Sequence, residues 1–96
     1  MSESHSLNPA QERALDLMSY LAVNLVDHPD AVRIDLVADA DREVLKVHLH
    51  PEDQGQFIGK SGQTARAIRT LLAAINARGD HRFALEIVDE PENAED

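Results

Sequence analysis

Residues 59–62, which read Gly-Lys-Ser-Gly, have the composition of a short loop that binds an anion. Glycine at each end permits positive φ angles and leaves no Cβ to hold a ligand away from the backbone. A long helical pattern begins directly after Gly62, and the first amides of a helix direct a partial positive charge at whatever lies there. Lys60 adds a cation and Ser61 adds a hydroxyl. The four residues therefore predict a phosphate-binding loop.

The segment around this loop is free of carboxylates, although the chain as a whole is acidic. The sequence contains 9 Lys and Arg against 18 Asp and Glu, which gives a net charge of -9. None of the acids lies between Gln54 and Gly79, where an even distribution would place about five. The cations of the same segment are Lys60, Arg66, Arg69 and Arg78. We therefore predict a local positive face beside the loop.

Length and composition indicate one folded domain. We expect residues 1–8 to form a flexible leader, residues 9–88 the domain, and residues 89–96 a disordered acidic tail. The sequence has no Cys, which excludes disulfides, thiol catalysis and cysteine-bound zinc. No apolar run reaches membrane-spanning length and the first residues lack the pattern of a signal peptide, so we expect a cytoplasmic protein that does not contact membranes.

Three helices are predicted from capping residues and apolar spacing. Asn8 followed by Pro9 and Gln11 has the pattern of a capping box, and the first helix stops near Asp27-His28-Pro29. Pro51 opens a second helix that ends at the loop, and a third follows Gly62. The predicted apolar stripe of this third helix consists of Ala65, Ile68, Leu71, Leu72 and Ile75.

Three strands are predicted from alternation of apolar and polar residues. They lie around residues 32–36, 45–49 and 83–87, and each presents one apolar and one polar face. The element order is thus α-β-β-α-α-β. This order predicts an α+β sandwich in which the helices cover one face of a three-stranded sheet and the other face meets water.

A Gly-x-x-Gly loop between two helices, beside a small one-sided sheet, resembles the RNA-clamping element of KH domains. The predicted element order resembles the type II, bacterial form of that fold. Further blocks agree in order, namely Leu-Val-Asp-His-Pro at 25–29, the stretch 51–62 from Pro-Glu-Asp to Gly-Lys-Ser-Gly, and Thr-Ala-Arg-Ala-Ile-Arg-Thr-Leu-Leu at 64–72. Over roughly residues 9–89 the chain resembles the small single-domain bacterial KH RNA-binding proteins of the KhpA type.

This resemblance implies that the domain binds single-stranded RNA through the backbone of the loop, with cations neutralising phosphates. The expected RNA-binding residues are Ile58, Gly59, Lys60, Ser61, Gly62, Arg66 and Arg69. The resemblance also implies an RNA-chaperone role together with a larger KH-domain partner of the KhpB type. It further implies post-transcriptional control linked to cell elongation, cell shape, cell-wall biogenesis and peptidoglycan homeostasis.

The residues also allow other interpretations of the loop, which are less consistent with the sequence. A P-loop needs four residues between its first glycine and the Gly-Lys pair, whereas Gly55 and Gly59 are separated by three. Ser61 has no base that the sequence reveals, so we expect no catalytic residue, no cofactor and no small-molecule substrate. His48 and His50 share one strand face, but a histidine pair without a third ligand is more typical of a surface, and no metal site is expected.

The helix after the loop is rich in small residues that would let a second helix approach closely. These residues are Ala67, Thr70, Ala73, Ala74 and Ala77, and we take Ala67, Thr70 and Ala74 as the expected dimer interface. The dimer would be a homodimer or a heterodimer with the larger KH-domain protein. The alternative hypothesis is a protein-interaction module that dimerises and has little RNA binding of its own.

Overall fold

The computed structural model describes residues 7–79 and 81–88, and it describes residues 58–61 by their backbone alone. Its elements, in chain order, are helix α1 Pro9–Leu25, a 3-10 turn Pro29–Ala31, strand β1 Arg33–Asp39, strand β2 Arg42–His48, helix α2 Pro51–Asn76 and strand β3 Phe83–Ile87. Residues 1–6 and 89–96 lie outside this description, so the leader and the acidic tail stay predictions. In the described part of the chain, no helix combines the length and the apolar character needed to cross a bilayer.

The three strands form one mixed sheet in the order β1-β2-β3. Strands β1 and β2 form an antiparallel hairpin, with Leu36 opposite Leu45, while β2 and β3 pair in parallel, with Leu45 beside Leu85. A parallel pair needs a crossover connection, and α2 supplies it. The predicted α+β class with a three-stranded sheet is confirmed.

One face of the sheet carries the core, as the alternation predicts. Leu45, Val47 and Leu49 are buried, whereas Lys46 and His48 on the opposite face are half-buried. The side chains that the helices pack against this face are Ala14, Met18 and Ala22 of α1 and Phe57, Ala65, Ile68 and Leu72 of α2. Leu71 does not join the predicted stripe, because it lies about 100° around the helix from Leu72 and is 45% exposed.

The first helix begins with the predicted capping box. The Asn8 carboxamide oxygen accepts from the Gln11 amide at 2.8 Å, and the Asn8 amide donates to Gln11 Oε1 at 3.0 Å. Gln11 also donates through Nε2 to Glu43 Oε1 at 2.8 Å, and His81 contacts the other oxygen of that carboxylate. Although burial raises the pKa of Glu43, these hydrogen bonds and the neighbouring His81 lower it overall. The capping residue Gln11 therefore also links α1 to the sheet through Glu43 of β2.

The two helices predicted on either side of the loop form one helical segment, α2. The right-handed helical backbone is nevertheless interrupted inside that segment, because Gly62 has a φ of +65° and lies in the left-handed region. A helix cannot run straight through a residue in the left-handed region. The segment therefore consists of two helical stretches that meet at Gly62, and the predicted loop is tighter than its sequence suggests.

Asp53 is the buried ionisable side chain of the described residues, with 2% of its surface exposed. Its oxygens accept from the backbone amides of Asp27 at 3.0 Å and His28 at 2.9 Å, and from the Nδ1 atom of the His28 ring at 3.0 Å. Burial raises the pKa of Asp53, but these donors outweigh burial and hold the pKa below its usual value. Asp53 therefore fastens the start of α2 to the connection between α1 and β1.

We expect Asp53→Asn to lower the free energy of unfolding by about 2 kcal/mol, because a neutral amide replaces a carboxylate that accepts three hydrogen bonds. Urea denaturation measures the change. The matched control is Asp30→Asn, which makes the same substitution at an exposed position of the 3-10 turn. Equal losses in the two variants would contradict the role assigned to Asp53.

The same carboxylate makes stability depend on acid. Its folded-state pKa lies below the unfolded value of about 3.9, so protonation favours the unfolded chain. The stabilisation is complete well above that pH and is lost as pH falls through the folded-state pKa. Glu43 contributes in the same direction. We therefore expect acid unfolding, followed by circular dichroism, to be less steep in Asp53→Asn than in the native protein.

Candidate nucleic-acid interface

The loop glycine that the structure describes has a positive φ, which its lack of a Cβ permits. Gly62 lies in the left-handed region, and apart from the neighbouring backbone no described atom lies within 4 Å of the place where a Cβ would be. The turn is therefore open to a ligand that approaches the backbone. The amides that follow a break in a helix are where a phosphate is favourably bound.

Four other predicted RNA-binding residues are only partly described. The backbone of Ile58, Gly59, Lys60 and Ser61 belongs to α2, and their side chains lie outside the described part of the chain. Their assignment to RNA binding stays a prediction.

Two predicted cations share a helix face with Gly62. Arg66 and Arg69 lie four and seven residues after Gly62, and both are exposed. Residues spaced by three or four along a helix lie on the same side. The structure thus brings the left-handed turn and the two arginines together along about 10 Å of α2.

Two arginines at or beside the start of a strand lie close to carboxylates. Arg42 donates to Asp39 at 3.0 Å, and Arg82 lies 3.3 Å from Asp41. On α2 there is no carboxylate after Asp53, so the field of Arg66 and Arg69 is not cancelled within their own helix. The positive face stays a prediction for the second part of α2.

A groove continues from Arg69 toward the sheet. It has a volume of about 310 Å³ and lies between α2 and β3. Its lining consists of Arg42, Arg69, Leu72, Ala73, Asn76, Phe83, Ala84 and Leu85. Apolar walls with cations at the rim suit a base whose phosphate remains at the edge.

Asn76 sets the spacing between α2 and β3. Its side chain donates through Nδ2 to the Phe83 carbonyl at 3.0 Å and accepts from the Phe83 amide through Oδ1 at 2.8 Å. The backbone groups of Phe83 therefore point away from β2. Because alternate residues of a strand point the same way, the amide and carbonyl of Leu85 also face the groove. They can hydrogen-bond the edge of a base.

Sequence reasoning did not identify Arg42, Asn76 or the edge of β3 as parts of this site. Arg42 belongs to β2 and reaches the groove only because β2 and β3 are neighbours in the sheet. The sequence signal for Asn76 is weak, since an amide near the end of a helix also serves as an ordinary capping residue. These residues meet through tertiary structure alone.

A larger cleft of about 540 Å³ lies between α1 and the end of α2, where Leu17, Ile75 and Phe83 form apolar walls and Arg13 and Arg78 are cationic. This cleft is lined by neither Gly62 nor Arg66 nor Arg69. The smaller groove is the better candidate for RNA, because it shares Arg69 with the face that carries the loop.

Comparison with known proteins identifies the family. The chain matches the family model described as KhpA/KhpB, KH domain, over residues 16–87. The RNA-binding protein KhpA of Mycobacterium tuberculosis is 41% identical over 75 residues, which are 78% of this chain and 90% of that protein. The chain belongs to the KhpA/KhpB KH-domain family.

Other proteins with the same name are similarly close. The RNA-binding protein KhpA of Treponema pallidum is 42% identical over 74 residues, which are 77% of this chain and 92% of that protein. The RNA-binding protein KhpA of Halalkalibacterium halodurans is 38% identical over 73 residues, which are 76% of this chain and 96% of that protein. The resemblance found from the loop and its flanking blocks is confirmed. The region matched to the KhpA/KhpB family includes the loop, both arginines and the groove along β3.

Among the expected dimer residues of this KhpA/KhpB domain, Ala67 faces away from Arg69, whereas Thr70 lies one helical turn after Arg66. Ala67, Thr70 and Ala74 are exposed, and the Thr70 hydroxyl donates to the Arg66 carbonyl at 3.0 Å. Ala67 lines a shallow groove between the two helices, together with Leu21, Leu25, Gln63, Thr64, Ile68 and Leu71. Leu25 and Leu71 are 48% and 45% exposed. Of the three expected residues, Ala67 thus borders an apolar surface.

The left-handed conformation of Gly62 can be tested with a second glycine of the same helix. We expect Gly62→Ala to lower the free energy of unfolding by about 1 kcal/mol, because the new Cβ meets no atom but strains the backbone. Gly55→Ala is the matched control. It also meets open space, but its φ is not positive, so the substitution should stabilise the helix by about 0.5–1 kcal/mol.

Urea denaturation of both variants measures these changes. Opposite signs are expected, and a gain in stability from Gly62→Ala would show that residue 62 is helical in solution.

Proposed function

We propose that this protein binds single-stranded RNA, with the backbone of residues 59–62 holding phosphates and Lys60, Arg66 and Arg69 neutralising them. The observation that carries the proposal is the left-handed Gly62, followed on the same helix face by two exposed arginines that lead to the groove along β3. The KhpA names of the relatives, which specify RNA binding, support it.

The path of the strand follows from these positions. Phosphates lie at the loop and along Arg66 and Arg69, and a base enters the groove, where Ala73 and Ala84 supply apolar contact. The Leu85 backbone then contacts the base edge. A KH domain holds about four nucleotides, which agrees with a path that begins at the loop and ends at β3.

Single-stranded RNA fits this surface better than a duplex does. A base enters a groove of this kind only when it is unpaired and turned away from its neighbours. The sequence has one Tyr and two Phe, and both Phe side chains are buried in the core. The domain therefore does not offer the aromatic stacking platform of an RRM or an OB fold.

The cellular role is proposed from the family resemblance. We propose an RNA chaperone of the cytoplasm that acts with a larger KH-domain partner of the KhpB type in post-transcriptional control. Its targets would affect cell elongation and peptidoglycan homeostasis. One domain that holds few nucleotides binds weakly, and a second domain held beside it raises affinity through effective concentration.

The second candidate function is a protein-interaction module with little RNA binding of its own. The exposed side chains of Leu25 and Leu71 favour it. They line a groove together with the small residue Ala67, and neither Arg66 nor Arg69 lines that groove. The two functions are compatible when the interface joins two RNA-binding domains. RNA binding by the isolated chain distinguishes them.

We expect Lys60→Asp with Ser61→Asp to abolish RNA binding, because two carboxylates would face the phosphates. The matched control is Arg13→Asp with Ser19→Asp, which changes the net charge equally at exposed positions of α1. Gel shifts with a single-stranded RNA measure affinity, and circular dichroism verifies the fold. Equal weakening in both double variants would contradict loop-specific binding and indicate a response to net charge alone.

Salt dependence tests the number of phosphates at the same site. With three or four phosphates contacted, the logarithm of the affinity should fall against the logarithm of salt concentration with a slope of about -2 to -3. Removal of the Arg69 charge by Arg69→Gln should reduce the magnitude of the slope by about 0.7. An affinity that does not change with salt concentration would favour the protein-interaction module.

Assembly is tested on the apolar surface between the helices. We expect Ala67→Tyr or Ala74→Tyr to give a folded monomer with weaker RNA binding, because a bulky ring prevents close approach of a second helix. Ala31→Tyr, at an exposed position of the 3-10 turn, is the control. Sedimentation measures the oligomeric state. A native protein that is monomeric at all accessible concentrations and recovers no partner from cells would contradict this interface.

A further inference from the structure

Two histidines and a carboxylate meet where α2 begins. The rings of His28 and His50 stack with their centroids 3.8 Å apart, and Glu52 Oε1 lies 3.4 Å from His28 Nε2. One potential ligand atom from each of these three residues lies within 4.8 Å of the others. The cluster lies apart from Gly62, Arg66 and Arg69.

The geometry points to a binding site for a divalent transition-metal ion such as Zn²⁺, with His28 Nε2, Glu52 and His50 as ligands. Nitrogen and carboxylate donors in this combination suit zinc and its neighbours in the first transition row, whereas Mg²⁺ and Ca²⁺ prefer oxygen alone. The sequence predicts no metal site, because the pair of His48 and His50 lacks a third ligand. The structure instead places His48 Nε2 3.0 Å from Asp35 and packs His50 on His28.

The ring of His28 is held in the form that a metal requires. The buried Asp53 lies 3.0 Å from His28 Nδ1, and it also accepts the backbone amide of the same residue. A carboxylate at this distance holds the ring proton on Nδ1, which leaves the lone pair of Nε2 for a metal. A metal on Nε2 would complete a series of carboxylate, histidine and metal that begins at Asp53.

The distance between the first two ligand atoms also fits a tetrahedral zinc ion. Ligands about 2.0–2.1 Å from a tetrahedral zinc lie about 3.3–3.4 Å apart. His28 Nε2 and Glu52 Oε1 are separated by 3.4 Å. These two atoms are therefore already at the separation that one ion would require.

His50 is the third ligand and must turn to bind. Its Nδ1 accepts from the Glu52 amide at 3.1 Å and so caps α2, and its ring lies nearly parallel to that of His28, at 11°. Lone pairs of parallel rings do not converge on one ion. Binding therefore exchanges the cap hydrogen bond of His50 for a metal bond, and Asp53 and Glu52 offset the unfavourable dipole of the helix start.

An ion at this site would join the connection after α1 to the start of α2, which Asp53 already links. Because the unfolded chain does not hold these ligands together, Zn²⁺ should raise the thermal midpoint of the protein. Since protons compete with metal for imidazole, the apparent affinity should fall as the pH is lowered.

The test uses the full chain, without a histidine tag and stripped of metal. Titration with Zn²⁺ in a calorimeter should give one ion per chain, and Co²⁺ should give the visible absorption of a tetrahedral site. His28→Gln and Glu52→Gln should each raise the Kd at least about tenfold. His48→Gln and His81→Gln are the controls and should leave the Kd unchanged.

The two ligand variants separate loss of metal binding from loss of folding. Glu52 is 74% exposed in its side chain, so Glu52→Gln should fold even if His28→Gln does not. Absence of saturable Zn²⁺ binding would overturn the proposal. So would a loss of affinity in His48→Gln or His81→Gln as large as that in Glu52→Gln, because the ion would then lie elsewhere.

Discussion

The parallel pairing of β2 with β3 is the constraint on which the rest of this fold depends. It requires α2 to carry the chain back across one face of the sheet, from the end of β2 to the start of a strand aligned beside it. Strand β2 has 7 residues and spans about 23 Å, whereas a straight helix of 26 residues would span about 39 Å. The left-handed Gly62 turns the chain, and both stretches of α2 contribute to the core. The turn that a crossover needs is also the turn that a phosphate can approach.

The second stretch of α2 has three faces with different surroundings. Ala65, Ile68 and Leu72 are buried against the sheet. Arg66 and Arg69 are exposed, with Arg69 lining the groove along β3, and Ala67 and Leu71 are exposed where α2 faces α1. A helix with 3.6 residues per turn can serve three surfaces at once, since each face needs only every third or fourth residue. RNA binding and assembly are therefore proposed for separate faces of one helix.

Charge is also separated along the chain. Arg33 and Arg42 of the strands, and Arg82 just before β3, lie beside carboxylates, and the carboxylate of Asp53 is buried under backbone amides. After Asp53, α2 contains cations and no acid. A chain with a net charge of -9 can thus present a positive face, because the field near a surface depends on the closest charges more than on the total.

The sequence by itself determined the features that depend on neighbours along the chain. These include the Asn8 cap with Gln11, the alternation that buries Leu45, Val47 and Leu49, the glycine loop and the absence of acids around it. Only the tertiary structure decided which surface covers which side chain. It exposed Leu71, placed Asp53 under the amides of Asp27 and His28, joined Asn76 to Phe83, and stacked His28 on His50. Periodicity indicates which face of an element is apolar, but a contact between residues 25 apart depends on how complete elements pack, and no local pattern encodes it.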